Sequence, residues 1–298
     1  MQGAKYAALQ EAVNAVTAKW LSEADPSFGV GVSIFSDSKD PTGGRGPYPS
    51  GRDVSIGIVD SAQAAAIAAR VSGIGSSGTP SFGALTGNYS YLRAFDPVSR
   101  GLPAGGRKVL VFMSDGEPSD ACQSSPAACW GAAADGRLDG ITTYAILFAN
   151  ASTTPALRTF MAQLAENGGS AANPNCDPAS SLPSSYCHFE VDTASGNSQT
   201  IATEFAAALE KARSGIDPCV LAIEKTNGSA FDPALVNVTV SGGNGQKTGV
   251  VNDSVNGWSF DDPSNPTQVI LHGDACAAVK ADQHASVELI LGCPTVSK

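Results

Sequence analysis

The chain has 298 residues, 42% of them apolar and only 15% charged, with 32 glycines and 18 prolines, which excludes a coiled coil or a disordered tail. Its net charge is −10 and no Lys/Arg run exceeds two residues, so nucleic acid and anionic lipid surfaces are excluded as partners on electrostatic grounds. No apolar stretch approaches the roughly 20 residues that cross a bilayer, and the length suits one large domain with a small one.

In chain order, residues 4–21 place Leu9, Ala12, Val13, Val16, Trp20 and Leu21 at helical spacing. Phe28 to Phe35 reads as a buried strand, residues 37–53 as a Gly/Pro-rich loop, and Val54 to Ile58 as a short edge strand. Asp60 with Gln63 has the form of a capping box and opens an Ala-rich helix to about Val71. After a loop over 72–81, Phe82, Leu85, Tyr89 and Leu92 recur at helical spacing. Lys108 to Met113 and Ile141 to Ala149 are continuous apolar runs, as expected of central parallel strands covered on both faces. Thr154-Pro155 starts a helix that Asn167-Gly168 ends, His188 to Val191 is a brief strand, and Ile201, Phe205 and Leu209 mark a helix closing near Arg213.

Strands spaced by helices imply an α/β fold, a doubly wound, mostly parallel sheet, over residues 1–217. From residue 218 to 298 the runs are short and β-type, which predicts a small antiparallel β module. Seven cysteines (122, 129, 176, 187, 219, 276 and 293) lie mostly beside turn residues, the pattern of disulfide staples in an oxidising compartment. Bridges 122–129 and 176–187 are expected, with further pairing among 219, 276 and 293. The start Met1-Gln2-Gly3-Ala4-Lys5 lacks the basic and apolar segments of a secretion signal, and an odd cysteine count leaves one thiol over.

In open parallel sheets, ligands bind at the loops leaving the carboxyl ends of the strands. Two such loops carry hard oxygen donors: Ser114-Asp115-Gly116-Glu117-Pro118 directly after the strand at 108–113, and Gly78-Thr79-Pro80-Ser81 at a helix start. Each alone is an ordinary turn or helix start. In this order and on these elements they resemble the metal-ion-dependent adhesion site of von Willebrand factor type A domains of bacterial secreted or surface proteins. The resemblance spans about residues 1–215, and the module after it also looks like one in such proteins. It implies that Thr79 and Asp115 are metal ligands for Mg²⁺ or Mn²⁺. It further implies a non-catalytic, extracytoplasmic module whose partner is a protein offering a carboxylate to the ion.

The sequence departs from that family at its start. The family's first strand and its Asp-x-Ser-Gly-Ser-Met loop precede the first helix, whereas here Met1 stands where the motif's Met falls. The Asp-x-Ser-x-Ser ligands are absent from residues 1–298, because Asp53-Val54-Ser55-Ile56-Gly57 lacks the second Ser. Loss of about five buried apolar side chains forfeits roughly 7–15 kcal/mol, comparable with the whole stability of a domain. The expectations are therefore an upstream segment carrying strand, ligands and signal, weak or absent metal binding without it, and poor folding. A truncated remnant is one alternative reading. A Cys/His zinc hydrolase is another, disfavoured because the spacings x6 and x10 do not match the short zinc knuckle. Gly73-Ile74-Gly75-Ser76-Ser77-Gly78 follows a helix, not a strand, and so is not read as a dinucleotide fingerprint. His188, His272 and His284 are read as surface or packing residues, and Glu117 as a solvated turn acid.

Overall fold

The computed structural model describes residues 4–35, 48–72, 78–102, 107–119, 125–170, 176–180, 182–194, 197–214, 219–223, 232–242, 246–263, 266, 268–281 and 285–296. The chain divides into two compact units, one built on Met1–Leu102 and Lys108–Ala212, the other on Pro103–Arg107 and Arg213–Lys298.

In the first unit the elements run α1 (Ala4–Glu23), β1 (Gly29–Val32), β2 (Val54–Ile58), α2 (Ser61–Ser72), α3 (Ser81–Ala94), β3 (Lys108–Ser114), α4 (Pro126–Leu138), β4 (Ile141–Ala149), α5 (Pro155–Asn167), β5 (Phe189–Asp192) and α6 (Ser198–Ser214). Strands β3, β4 and β5 form a parallel three-stranded sheet in that order, while β1 and β2 pair antiparallel. Both faces of the parallel sheet are covered, which is why β3 and β4 are mostly apolar. On one face Ile146, Phe148 and Val191 pack with Ala8, Leu9 and Ala12 of α1, Ile67 and Val71 of α2, and Ile201 and Phe205 of α6. On the other, Phe112, Ala145 and Leu147 meet Leu85 and Tyr89 of α3, Cys129 and Ala133 of α4, and Phe160, Met161 and Leu164 of α5. The unit is thus an α/β layer structure with helices on both faces.

Local chemistry accounts for several boundaries. Asp60 accepts the Gln63 N–H at 2.8 Å, and the Gln63 side chain reaches out to the carbonyls of Val30 and Ser55, tying α2 to the strand pair. Ser125 and Thr154 each cap a helix that has Pro at its first position. The helix α4 was not foreseen: its sequence PAACWGAAADGRL carries small residues where a periodic apolar stripe is usually read. Tight packing explains the choice, since Ala132, Ala133 and Gly136 are buried and a Cβ on Gly136 would stand 2.5 Å from the Tyr89 ring.

One ion pair is fully enclosed. Asp53 (1% exposed) faces Arg70 (4% exposed) at 2.9 Å. Its carboxylate also accepts from the Ser33 hydroxyl and the Ile34 and Ser50 N–H groups at 3.1, 3.1 and 2.7 Å. The end of β1, the start of β2 and the end of α2 are thereby joined at one point.

In the second unit, β6 (Val220–Ala222), β7 (Val236–Ser241), β8 (Lys247–Val250), β9 (Trp258–Phe260), β10 (Gln268–Leu271) and β11 (Ser286–Leu291) form two antiparallel sheets, β6-β10-β9 and β11-β7-β8, around Trp258, Val236, Val238 and Val269. An all-β module was expected. The structure corrects this, because α7 (Gly273–Ala281) is helical; its apolar positions are mostly alanines, too small to mark a stripe. Disulfide Cys219–Cys276 ties the entry to β6 to α7, and Cys176–Cys187 closes the loop before β5. The expected bridge 122–129 does not form. Cys129 is a free thiol turned into the core beside Tyr89 and Ala133, and Cys122 lies outside the described residues. Burial pushes the Cys129 thiol up to about 12, whereas free Cys293 is exposed.

Two outcomes follow. Asp53→Ala removes the carboxylate that pairs with the buried Arg70 guanidinium and accepts from Ser33, Ile34 and Ser50, and is expected to cost about 3–5 kcal/mol in urea unfolding; a loss below about 1 kcal/mol would contradict the enclosed pair. In thiol labelling at pH 8, Cys293 reacts in the folded chain and Cys129 only after denaturation, since the thiolate is the reactive form. Labelling of both at equal rates in the native protein would show that the α3–α4 packing is wrong.

Candidate functional site

The carboxyl ends of β3 and β4 are level, because the two strands pair in register from Lys108↔Ile141 to Ser114↔Leu147. The turn after β3 and the loop after β4 therefore emerge side by side. Ser114, buried, folds the β3 turn back on itself: its hydroxyl bonds the Gly116 carbonyl at 3.0 Å and accepts from the Gly116 N–H at 3.2 Å.

The Thr79 segment lies directly against this turn. The Thr79 carbonyl accepts the Ser119 N–H at 3.0 Å, and a Cβ placed on Gly116 would stand 3.1 Å from the Thr79 Oγ1. Glycine at 116 thus lets the threonine hydroxyl approach the Asp115–Glu117 turn closely. The Thr79 hydroxyl thus lies against the backbone of the turn that carries Asp115, while the groove beside that turn is lined by Asp115 and not by Thr79. Among the described residues no three His, Cys, Asp or Glu side chains cluster as a metal site. The donors on offer here are a hydroxyl and a carboxylate, hard oxygens that match the chemistry of Mg²⁺ or Mn²⁺ rather than zinc.

Beside the turn is a groove of ≈ 340 Å³ lined by Asp115, Gly116, Glu117, Asn150, Ser152, Thr153, Thr154 and Leu157. Sequence reasoning missed its second wall. The signal was present, since 150–154 is the loop leaving the carboxyl end of the second central strand. That loop is preorganised. The Asn150 N–H donates to Thr153 Oγ1 and the Ser152 N–H to Asn150 Oδ1, both at 2.8 Å. Thr154 accepts the Leu157 N–H at 3.0 Å and donates its own hydroxyl proton to Glu117, so it caps α5 and joins the two walls. Glu117, expected to be a solvated turn acid, is exposed yet engaged.

Arg158 supports the loop from behind, donating to the Thr153 carbonyl at 3.1 Å and to both Glu190 oxygens at 2.9 and 3.1 Å. Burial opposes ionisation of Glu190, but hydrogen bonds from His188 and Arg158 and their charges outweigh it and hold the carboxyl below its ordinary value. His188 is buried against Tyr186 rather than on the surface. In the second unit His272 Nε2 lies 2.8 Å from Ser259 Oγ, so it too makes a specific polar contact. His284 falls outside the described residues.

No family model and no curated protein matches the sequence. Among solved structures, the pilus adhesin SpaC from Lactobacillus rhamnosus GG is similar with a TM-score of 0.47 and 13% identity, over 95% of this chain and 36% of that one. The chain therefore spans little more than a third of that adhesin's length.

Replacing Thr154 by Ala removes both the α5 cap and the link to Glu117, and is expected to cost about 1–2 kcal/mol with faster hydrogen exchange across 150–157. Thr154→Ser keeps the hydroxyl and restores most of that loss. Equal stability of the Ala and Ser variants would exclude the cap.

Proposed function

We propose that this chain is a metal-ion-dependent protein-binding module of the von Willebrand factor A type, secreted or surface-exposed, which binds rather than catalyses. The observation that carries the reading is the meeting of the Thr79 hydroxyl with the Asp115–Gly116–Glu117 turn at the carboxyl end of β3. Thr79 and Asp115 would hold a Mg²⁺ or Mn²⁺ ion, whose chemistry is to offer an open coordination position to a carboxylate on the partner protein.

The protein's own residues support binding over catalysis. The Thr153 and Thr154 hydroxyls are committed to turn and cap bonds, which makes them rigid walls rather than mobile acids or nucleophiles. Two disulfides suit an oxidising compartment outside the cytoplasm. No helix among the described residues is long and apolar enough to cross a membrane.

With only these two side chains as ligands, affinity is expected to be on the order of 10⁻³ M, the weak end for oxygen-ligand sites. Water-proton relaxation during a Mn²⁺ titration measures it. Asp115→Asn and Thr79→Val should each weaken the ion at least about tenfold, which is about 1.4 kcal/mol, while circular dichroism stays unchanged. Binding that neither substitution alters would place the ion elsewhere, and no relaxation change at tenfold higher Mn²⁺ would remove the metal from this reading.

A further inference from the structure

The second wall of the groove is held from outside by one side chain. Arg158 donates through Nη1 to the Thr153 carbonyl at 3.1 Å, and through Nε and Nη2 to the two Glu190 oxygens. Its guanidinium carbon stands 6.0 Å from the centre of the Tyr186 ring, within reach of a cation–π attraction. Tyr186 stacks on His188 at 5.0 Å with 15° between the rings, and His188 Nε2 lies 3.5 Å from Glu190 Oε2. The guanidinium that fixes Thr153 is therefore itself placed by Tyr186, His188 and Glu190.

Cys187 sits between the two stacked rings in the chain. Its side chain is fully buried in the α3–α5 core, and it is bonded to Cys176, which is only partly buried. The bridge thus pins the backbone from which both rings project. One backbone bond closes the same loop, from the Asp177 N–H to the Ser185 carbonyl at 2.9 Å. A single such bond is weak beside a covalent link between residues 11 apart.

We propose that the Cys176–Cys187 bridge is a redox switch for the groove: the oxidised chain holds the 150–154 wall through Tyr186, His188, Glu190 and Arg158, and the dithiol chain releases it. This rests on the reading of the groove as the binding surface, but the switch itself needs no metal. In the reducing direction a thiolate of a dithiol reductant attacks Cys176 Sγ, the more accessible sulfur. The Sγ–Sγ bond breaks, and Cys187 leaves as a thiolate and takes up a proton. The second thiol of the reductant then displaces Cys176, which is protonated in turn, and the reductant departs as its disulfide. Two electrons and two protons have passed to the chain. Exchange with a disulfide oxidant runs the same steps backwards. Such a wall is loose where thiols stay reduced and set where disulfides form, as suits an exported binder.

Hydrogen exchange by mass spectrometry on the full chain, without metal, tests this. The Asn150, Ser152, Thr153 and Leu157 amides are all hydrogen-bonded, so residues 150–157 report the wall. Removing the bridge by Cys176→Ser with Cys187→Ala should speed exchange there by about tenfold or more, while Lys108–Ser114 and Ile141–Ala149 keep their protection. Arg158→Met in the oxidised chain should speed the same residues, and adding bridge removal should speed them no further, because both changes break one path. Dithiothreitol should reproduce the effect in the unaltered chain, and re-oxidation should reverse it. Cys219→Ser with Cys276→Ser, which removes the other bridge, should leave 150–157 as they were. Unchanged exchange at 150–157 without the bridge, or effects of bridge and Arg158 that multiply, overturns the proposal. So does loss of protection in Lys108–Ser114 and Ile141–Ala149 together with 150–157, which would make the bridge a staple of the whole unit. Failure of the Mn²⁺ titration would count against the metal alone and leave this result standing.

Discussion

The parallel pairing of β3 with β4 is the constraint on which the rest of the first unit depends. Seven residue pairs in unbroken register bring Ser114 level with Leu147, so the turn at 115–117 and the loop at 150–154 leave the sheet together. Side chains alternate faces along a strand, so a shift of one residue would turn Phe112 and Leu147 away from the α3–α5 core. The apolar cost of that shift is borne by residues that are almost completely buried, which makes the register steep.

Short polar bonds then convert that register into a shaped groove. Ser114 sets the first turn, Thr153 and Asn150 set the second, and the Thr154 hydroxyl joins them through Glu117. Arg158 carries the fixation outward to Glu190 on β5, so all three parallel strands contribute to holding one loop. Groups held this way have little conformational entropy left to lose. The Asp53–Arg70 pair plays a different part. It sits where β1, β2 and α2 converge and orients the strand pair that would otherwise have only four- and five-residue strands to define it.

Which features were legible in the sequence follows from how local their causes are. The apolar runs at 108–113 and 141–149 announce central strands because their side chains pack on both faces of the sheet, and the amphipathic stripes of α1, α5 and α6 announce helices. The helices α4 and α7 left no such trace, because their apolar positions are mostly alanines and small residues contribute little to a periodic pattern; in α4 close approach to Tyr89 selects them. Thr79 and Asp115 could be named as oxygen donors from the strand-end rule, whereas Asn150, Thr153 and Arg158 read as ordinary loop and helix residues.

The sequence by itself determined the α/β class of the first unit, the mainly β character of the second, and the bridge between Cys176 and Cys187. Only the tertiary structure decided that Cys129 stays a buried thiol, that Glu117 is held by a threonine 37 residues away, and that β1 and β3 each keep an edge without a strand partner among the described residues. The first group depends on residue type and short-range spacing. The second depends on which distant surfaces pack together, and pairing over such separations leaves no imprint on local periodicity.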